Sequence, residues 1–363
     1  MPEPQGDTPG GPPRRGDRRP TMTDVAQRAG VSRALVSLVF RDAPGASTAT
    51  RERVFRVAEE IGYRPDSAAR MLASSRSKVL GVLLTVRNPF HADMVESIYP
   101  VAEERGYEIL LSAASPTRDE RKAVDALLGH RCEGLLLLGP TLPTSYIAEL
   151  GRKLPVVSLG RHFRGIDVDS VHTAEAKGVR QAIAHLVELG HRSIAHIDGG
   201  RGPGSAERRK AYRAAMRKHG LDDYIRVLPG DQTEESGSAM ANVLLAERSA
   251  MPTAVLAGND RCALGFLDVV WRAGLSVPGD LSVVGYDDSH LAHLSHIDLS
   301  TVRQDPDRHA ELAVRCVVDR LDGTRDQAAE FVLEPKLVTR GTTGPPGRSG
   351  IMRFASGGDG VET

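Results

Sequence analysis

The sequence predicts an α/β protein with an N-terminal three-helix head, a short connecting helix, and a two-lobed body of doubly wound parallel sheets. Three observations carry that expectation. Residues 21–39, TMTDVAQRAGVSRALVSLV, read as two short helices about a glycine turn. From about 79 to 341, continuous apolar runs alternate with stretches of helical period. Charge is divided unevenly: residues 1–78 hold 14 basic against 9 acidic side chains and the rest 33 against 38, so a net charge of zero conceals +5 and −5.

At 363 residues the chain has room for two or three domains. An apolar content of 40% with 4% aromatics suits a soluble α/β fold rich in Ala, Val and Leu. No run approaches the roughly 18 apolar residues of a membrane span, and no leader pattern opens the chain, so a cytoplasmic protein with no membrane partner is expected. Cys132, Cys262 and Cys316 lie far apart without a Cys-x-x-Cys pair, which argues against a disulfide framework or a zinc ribbon.

Taken in order, residues 1–20 are Pro, Gly and Arg with scarcely an apolar side chain and are expected to be a disordered tail. Its arginines, Arg14, Arg15, Arg18 and Arg19, either touch phosphates or are simply solvated. Thr21 is an N-cap, paired with Asp24 as a capping box whose carboxylate also suits the positive first turn. Val25, Ala26 and Ala29 make a small apolar face, and Gly30 lets the helix stop. Ser32 caps the second helix, where Leu35, Val36 and Val39 recur at helical spacing. Helix, glycine turn, helix is the signature whose second helix enters the DNA major groove. An ordinary helical hairpin inside a core is the plainer alternative. A third helix, from Ser47 or Thr48 to about Ile61, buries Val54, Val57, Ala58 and Ile61 and leaves Arg51, Arg53 and Arg56 outside. After Pro65, Asp66 caps a helix too short to be stable alone in water.

The body reads as strands near 79–86, 107–112, 133–138, 155–159, 193–198, 226–228, 253–257 and 281–285. Helices are expected near 93–105, 118–130, 174–189 and 205–219 and between the strands at 133–138 and 155–159. Some 260 residues of this are enough for two parallel sheets and a cleft, with ligands beyond the carboxyl ends of the strands. Polar residues gather at those ends: Asn88-Pro89-Phe90, Asn259-Asp260, Tyr286-Asp287-Asp288 and Gln304-Asp305, with Arg208 on a following helix. An aromatic plate, a carboxylate, a guanidinium and amides can sandwich and hydrogen-bond a ring bearing hydroxyls or nitrogens. Asp260 and Asp288 read rather as caps or turn formers, and His191 as structural. His290, His293 and His296, spaced by three, lack a suitable fourth ligand, so no metal and no cofactor are expected.

The helix pair and the Tyr63-x-Pro65-x-x-x-Ala69-x-x-Leu72 segment, with Asn-Pro-Phe, Arg208 before Tyr212, Asn259-Asp260 and Gly285-Tyr286-Asp287-Asp288, resemble the LacI/GalR family of bacterial transcription regulators. Leu189-Gly190-His191-Arg192 and Leu337-Val338-x-Arg340-Gly341 add to the resemblance, which covers about 21–343. It implies a ligand-responsive regulator, expected to be a repressor, that binds palindromic double-stranded operator DNA as a homodimer. It implies a helix-turn-helix domain at 21–64, a hinge helix and linker at 65–78, and a periplasmic-binding-protein-like effector and dimerisation domain at 79–341. Lobe one of that body is expected at about 79–177 and 306–334, lobe two at about 178–305 and 335–341, and 342–363 as a disordered tail.

By the same resemblance, DNA is met by Thr21, by Ser32, Arg33, Ala34, Ser37 and Leu38 on the second helix, and by Ser47, Thr50, Arg51 and Arg53 at the start of the third. Tyr63 follows, with Ala69 and then Leu72, the hinge residue that wedges into the minor groove. The effector, sugar-like or nucleoside-like, is held by Asn88, Phe90, Arg208, Asn259, Asp287 and Gln304. Two positions depart from the pattern. Leu38 stands where many relatives have an arginine, which shifts base reading to Arg33. Ala174 stands where the family often has a ligand-binding aspartate. A cleft enzyme or a solute-binding protein shares such a body. The Gly-rich 200–204 stretch, however, lacks the Lys-Ser/Thr of a phosphate loop, no Gly-x-Ser-x-Gly elbow appears, and no enzyme is expected.

Overall fold

The computed structural model describes residues 20–40, 43–64, 76–247 and 250–347, in two compact units divided after Ser77. Both tails' outer parts and the segment 65–75, with Ala69 and Leu72, lie outside the described residues.

The first unit contains α1 (Met22–Ala29), α2 (Arg33–Phe40) and α3 (Thr48–Glu60). Local chemistry sets each boundary. The Asp24 carboxylate accepts the Thr21 backbone N–H at 2.7 Å while the Thr21 side chain accepts the Asp24 N–H, completing the capping box. Gly30 adopts φ 66°, a left-handed conformation that ends α1 without the strain a side chain would bring. Ser32 Oγ accepts the Leu35 N–H at 3.1 Å, and Ser47 caps α3 through the Thr50 N–H. Val25, Ala26, Ala29, Val36, Val39, Val54, Val57, Ala58 and Tyr63 form one core. Phe40 lies edge-on to Phe55, with Tyr63 also 5.5 Å from its ring.

The second unit holds two six-stranded sheets. Its elements in chain order are β1 (Val79–Thr85), α4 (Pro89–Glu104), β2 (Glu108–Ala114), α5 (Glu120–Gly129), β3 (Gly134–Leu138), α6 (Thr144–Gly151), β4 (Val156–Leu159) and β5 (Asp169–Thr173). They continue as α7 (Glu175–Glu188), β6 (Ile194–Ile197), α8 (Ser205–Lys218), β7 (Arg226–Leu228), α9 (Glu234–Ala246), β8 (Ala254–Leu256), α10 (Asp260–Arg272), β9 (Ser282–Asp287), β10 (Ser300–Arg303), α11 (Pro306–Leu321), β11 (Glu330–Leu333) and β12 (Lys336–Val338). The first sheet runs β11-β5-β4-β3-β1-β2 and is parallel throughout. The second runs β12-β10-β9-β8-β6-β7. Its edge strand β12 pairs antiparallel with β10, a departure from the all-parallel expectation. Each sheet is buried on both faces, which is why β1, β3 and β9 read as unbroken apolar runs.

Four further differences have local causes. Helix α4 begins at Pro89 rather than near 93, because Asn88 caps it and proline suits the first turn. Strand β5, DSVHT, carries no apolar run and was not legible. Strands β11 and β12 were likewise unread. Residues 342–347 continue lobe two instead of joining the tail. Thr342 is 2% exposed and donates to the Val283 carbonyl, and the Gly344 carbonyl sits 2.8 Å from His191 Nε2.

The chain passes between the lobes three times, at β5–α7, β10–α11 and β11–β12. The crossings are tied together. Gln304 accepts from Thr173 Oγ1 at 2.8 Å, and the Ala174 N–H donates to the Leu333 carbonyl at 2.8 Å.

Candidate functional site

In the head, Ser32, Arg33, Ala34, Ser47 and Arg53 are exposed, and Ser37, Leu38 and Thr50 half-buried, on the start of α2 and the start of α3. Thr21 spends its side chain on the capping box, as Ser32 and Ser47 spend theirs on caps. Two of the expected contact residues have partners inside the head. Tyr63, read as a DNA contact, is only 9% exposed and its ring packs in the core against Phe40. Arg51, expected to hold phosphate, is half-buried and also donates from one Nη to the Ala43 carbonyl in the loop before α3. Ala69 and Leu72 fall outside the described residues.

In the body, a cavity of about 330 Å³ lies between the lobes at the carboxyl ends of β1, β3, β4 and β9. Lobe one supplies a largely apolar wall of Phe90, Met94, Leu138 and Leu159, with Thr85, Asn88 and His91 among them. Asn88 reaches that wall because it caps α4, accepting the Phe90 N–H at 3.2 Å. His91 Nδ1 accepts the Thr85 N–H at 3.0 Å, so its neutral ring carries hydrogen on Nε2. Burial lowers the pKa of His91 to about 4, so the ring is uncharged at neutral pH.

Lobe two supplies the charges. Arg208 is 4% exposed and three bonds hold its guanidinium: Nε and Nη2 donate to Glu175 at 2.7 and 3.2 Å, and Nη1 to the Gly258 carbonyl at 2.7 Å. It also stacks 3.7 Å over the Tyr286 ring. Gly204 adopts φ 71°, and a Cβ there would lie 2.5 Å from Glu175 Oε1 and push that carboxylate aside. Asp287 accepts from Gln304 Nε2 at 2.7 Å, and burial pushes its carboxyl well above the usual range against the pull of Arg208. His309, on α11, faces the Asp305 carbonyl through Nδ1 at 2.8 Å, and burial lowers its pKa. Arg201 and Asp231 stand exposed at the rim.

The cavity thus brings together Asn88, Phe90, Arg208, Asp287 and Gln304. It does not include Asn259, a correction: that residue is 1% exposed and spends its side chain capping α10 through the Cys262 N–H. Asp260 and Asp288 also stay out. Asp260 accepts from Ser289 and Thr301, and Asp288 pairs with Arg340 at 2.6 Å. His191 bonds Thr253 and Ser282, and His290 pairs with Asp93 rather than with His293. Sequence reasoning missed Glu175, His91 and His309. Glu175 directly follows the Ala174 that read as a missing acid, and His91 directly follows Asn-Pro-Phe, so both signals were one residue away.

Residues 21–66 match the model for bacterial regulatory proteins of the lacI family, and residues 183–343 match a periplasmic binding protein-like domain. HTH-type transcriptional regulator CelR of Thermobifida fusca is 34% identical over 338 residues, spanning 89% of this chain and 98% of the relative. The lac repressor dimer bound to operator and the anti-inducer ONPF is similar at a TM-score of 0.76 and 28% identity, over 90% of this chain and 100% of that one. A CelR–cellobiose complex is similar at 0.64 and 31% identity, over 89% and 100%.

Proposed function

Because this chain belongs to the lacI family of bacterial regulatory proteins and is a ligand-responsive DNA-binding transcription regulator, we propose that it is a repressor whose effector is an uncharged, polyhydroxylated, sugar-like metabolite. The observation that carries the ligand class is charge cancellation inside the cavity. Arg208 and Glu175 neutralise each other, burial favours a neutral Asp287, and His91 and His309 are uncharged at neutral pH. What remains for a ligand is a set of neutral donors and acceptors opposite the Phe90 plate, which suits hydroxyls on a ring. Among the described residues that line the cavity, Arg261 is paired with Glu234 and Arg201 stands at the rim, so a phosphate or carboxylate would meet no unpaired cation in the interior. Cellobiose, held by the CelR relative, is a ligand of this class.

The ligand touches both lobes, so it favours one angle between them. In a homodimer on a palindromic operator, that angle sets the spacing of the two segments at 65–78. A coupling of about 1–3 kcal/mol suffices for a 5–150-fold change in DNA affinity. The exposed face of Ser32, Arg33 and Ala34 supports base reading from the start of α2.

The test is fluorescence anisotropy of full-length protein on DNA from its own regulatory region, titrated with neutral sugars, nucleosides and sugar phosphates. A response to a neutral sugar, recovered unchanged by chromatography, is expected. A response confined to sugar phosphates rejects the charge argument, and conversion of the ligand points to an enzyme instead.

A further inference from the structure

Outside the cleft, the edge of the first sheet carries a cluster that the regulatory function does not use. Strand β5 places Ser170 and His172 on one face, while the intervening Val171 packs into the core. The neighbouring β11 is in parallel register, Glu330 beside Ser170, which brings the Glu330 side chain alongside the same face. His162, in the loop between β4 and β5, completes the group. His172 Nε2 lies 2.8 Å from Glu330 Oε1, and His162 Nδ1 lies 3.4 Å from that same oxygen. The three candidate donor atoms all fall within 4.8 Å of one another. The two imidazole rings are 5.6 Å apart and tilted by 39°.

We propose that His162, His172 and Glu330 form a binding site for a divalent transition-metal ion of the zinc class, with water in the remaining position. Two imidazoles and a carboxylate are the donor set that such borderline ions take when an open position is kept. With bonds of about 2.0–2.1 Å, tetrahedral donors sit roughly 3.3 Å apart, and the two donor pairs at Glu330 bracket that spacing. Two imidazole nitrogens converging on one carboxylate oxygen need either hydrogens or a cation between them. The surroundings favour entry of an ion. Both histidine side chains are partly covered, at 26% and 19% exposure, while that of Glu330 at 46% leaves an approach from solvent. His172 Nδ1 faces the Thr173 carbonyl at 3.4 Å, an outer partner of the kind that orients a ligating ring, whereas His162 Nδ1 has Ser170 Oγ at 2.9 Å, a contact that the ion would replace. The cysteines do not compete: burial pushes the thiols of Cys132, Cys262 and Cys316 up to about 11, 12 and 11. An ion here would tie the loop, β5 and β11 together beside the crossing into lobe two.

The experiment uses the full chain, stripped with chelator and dialysed, titrated with Zn²⁺ by calorimetry and with Co²⁺ by visible absorption. One ion per chain is expected, with a four- or five-coordinate cobalt spectrum lacking a sulfur charge-transfer band. Glu330→Gln, isosteric and on an exposed edge, and His172→Gln should each weaken binding at least tenfold while circular dichroism stays unchanged. A variant with His290, His293 and His296 all changed to Gln should bind as the parent does. No saturable ion in the parent, or binding within threefold of the parent in either Glu330→Gln or His172→Gln, overturns the site. So does a sulfur band in the cobalt spectrum.

Discussion

The head and the cleft both carry side chains proposed for recognition, but they assemble them in opposite ways. The head's face comes from one short stretch, Ser32 to Arg53, framed by local caps and largely exposed. The cleft gathers Thr85, Glu175, Arg208, Asp287 and His309 from positions far apart in the chain and buries most of them. A general expectation for this molecule follows from that contrast. An exposed residue on a local frame can be changed with little effect on folding, whereas a buried, mutually bonded residue carries function and stability together.

Arg208→Ala gives that expectation its hardest test. It leaves the Glu175 carboxylate buried without its guanidinium, which typically costs about 3–5 kcal/mol. Loss of the effector response and a lowered urea midpoint should therefore appear together in anisotropy and denaturation. A lost response with an unchanged midpoint would make the cleft behave as the head does.

Acid should separate the units next. Burial holds His91 and His196 at about 4 in the native state, against 6.5 ordinarily. Between those values the unfolded chain binds protons that the native chain does not, so this stability is complete above about pH 6.5 and is lost as pH falls toward 4, up to roughly 3 kcal/mol per histidine. Asp260, pushed up to about 7 by burial, has the opposite sign and favours the fold as pH falls. The head has no histidine between residues 21 and 64 and lacks this contribution. Denaturation of the parent and of His91→Gln at pH 7 and pH 5 should show the variant losing less stability on acidification. Identical losses would remove His91 from the account.

Smaller effects belong to the head. Arg33→Ala should relax preference at one base pair by about 1–3 kcal/mol and leave the melting midpoint unchanged. Uniform weakening on all sequences in a binding-site selection would deny Arg33 a base-reading role. Thr21→Ala removes one side of the capping box and should destabilise the head by about 1 kcal/mol, read by hydrogen exchange over α1 with the body's exchange unaltered.

The sequence alone was enough for whatever depends on near neighbours. Thr21, Gly30, Ser32 and Ser47 set helix ends through contacts a few residues away, and apolar runs marked β1, β3 and β9 because a strand covered on both faces needs no polar side. Asn88, Phe90, Arg208, Asp287 and Gln304 were legible from motif resemblance, and the structure gathers them around one cavity. Tertiary structure alone decided the rest. It buried Tyr63, turned Arg51 onto Ala43 and made Asn259 a cap. It paired Glu175 with Arg208 across 33 positions and drew the polar strand β5 between β4 and β11. The physical reason is common to these cases. A polar side chain's role depends on which partner reaches it and whether water is excluded, and both are settled by segments distant in sequence.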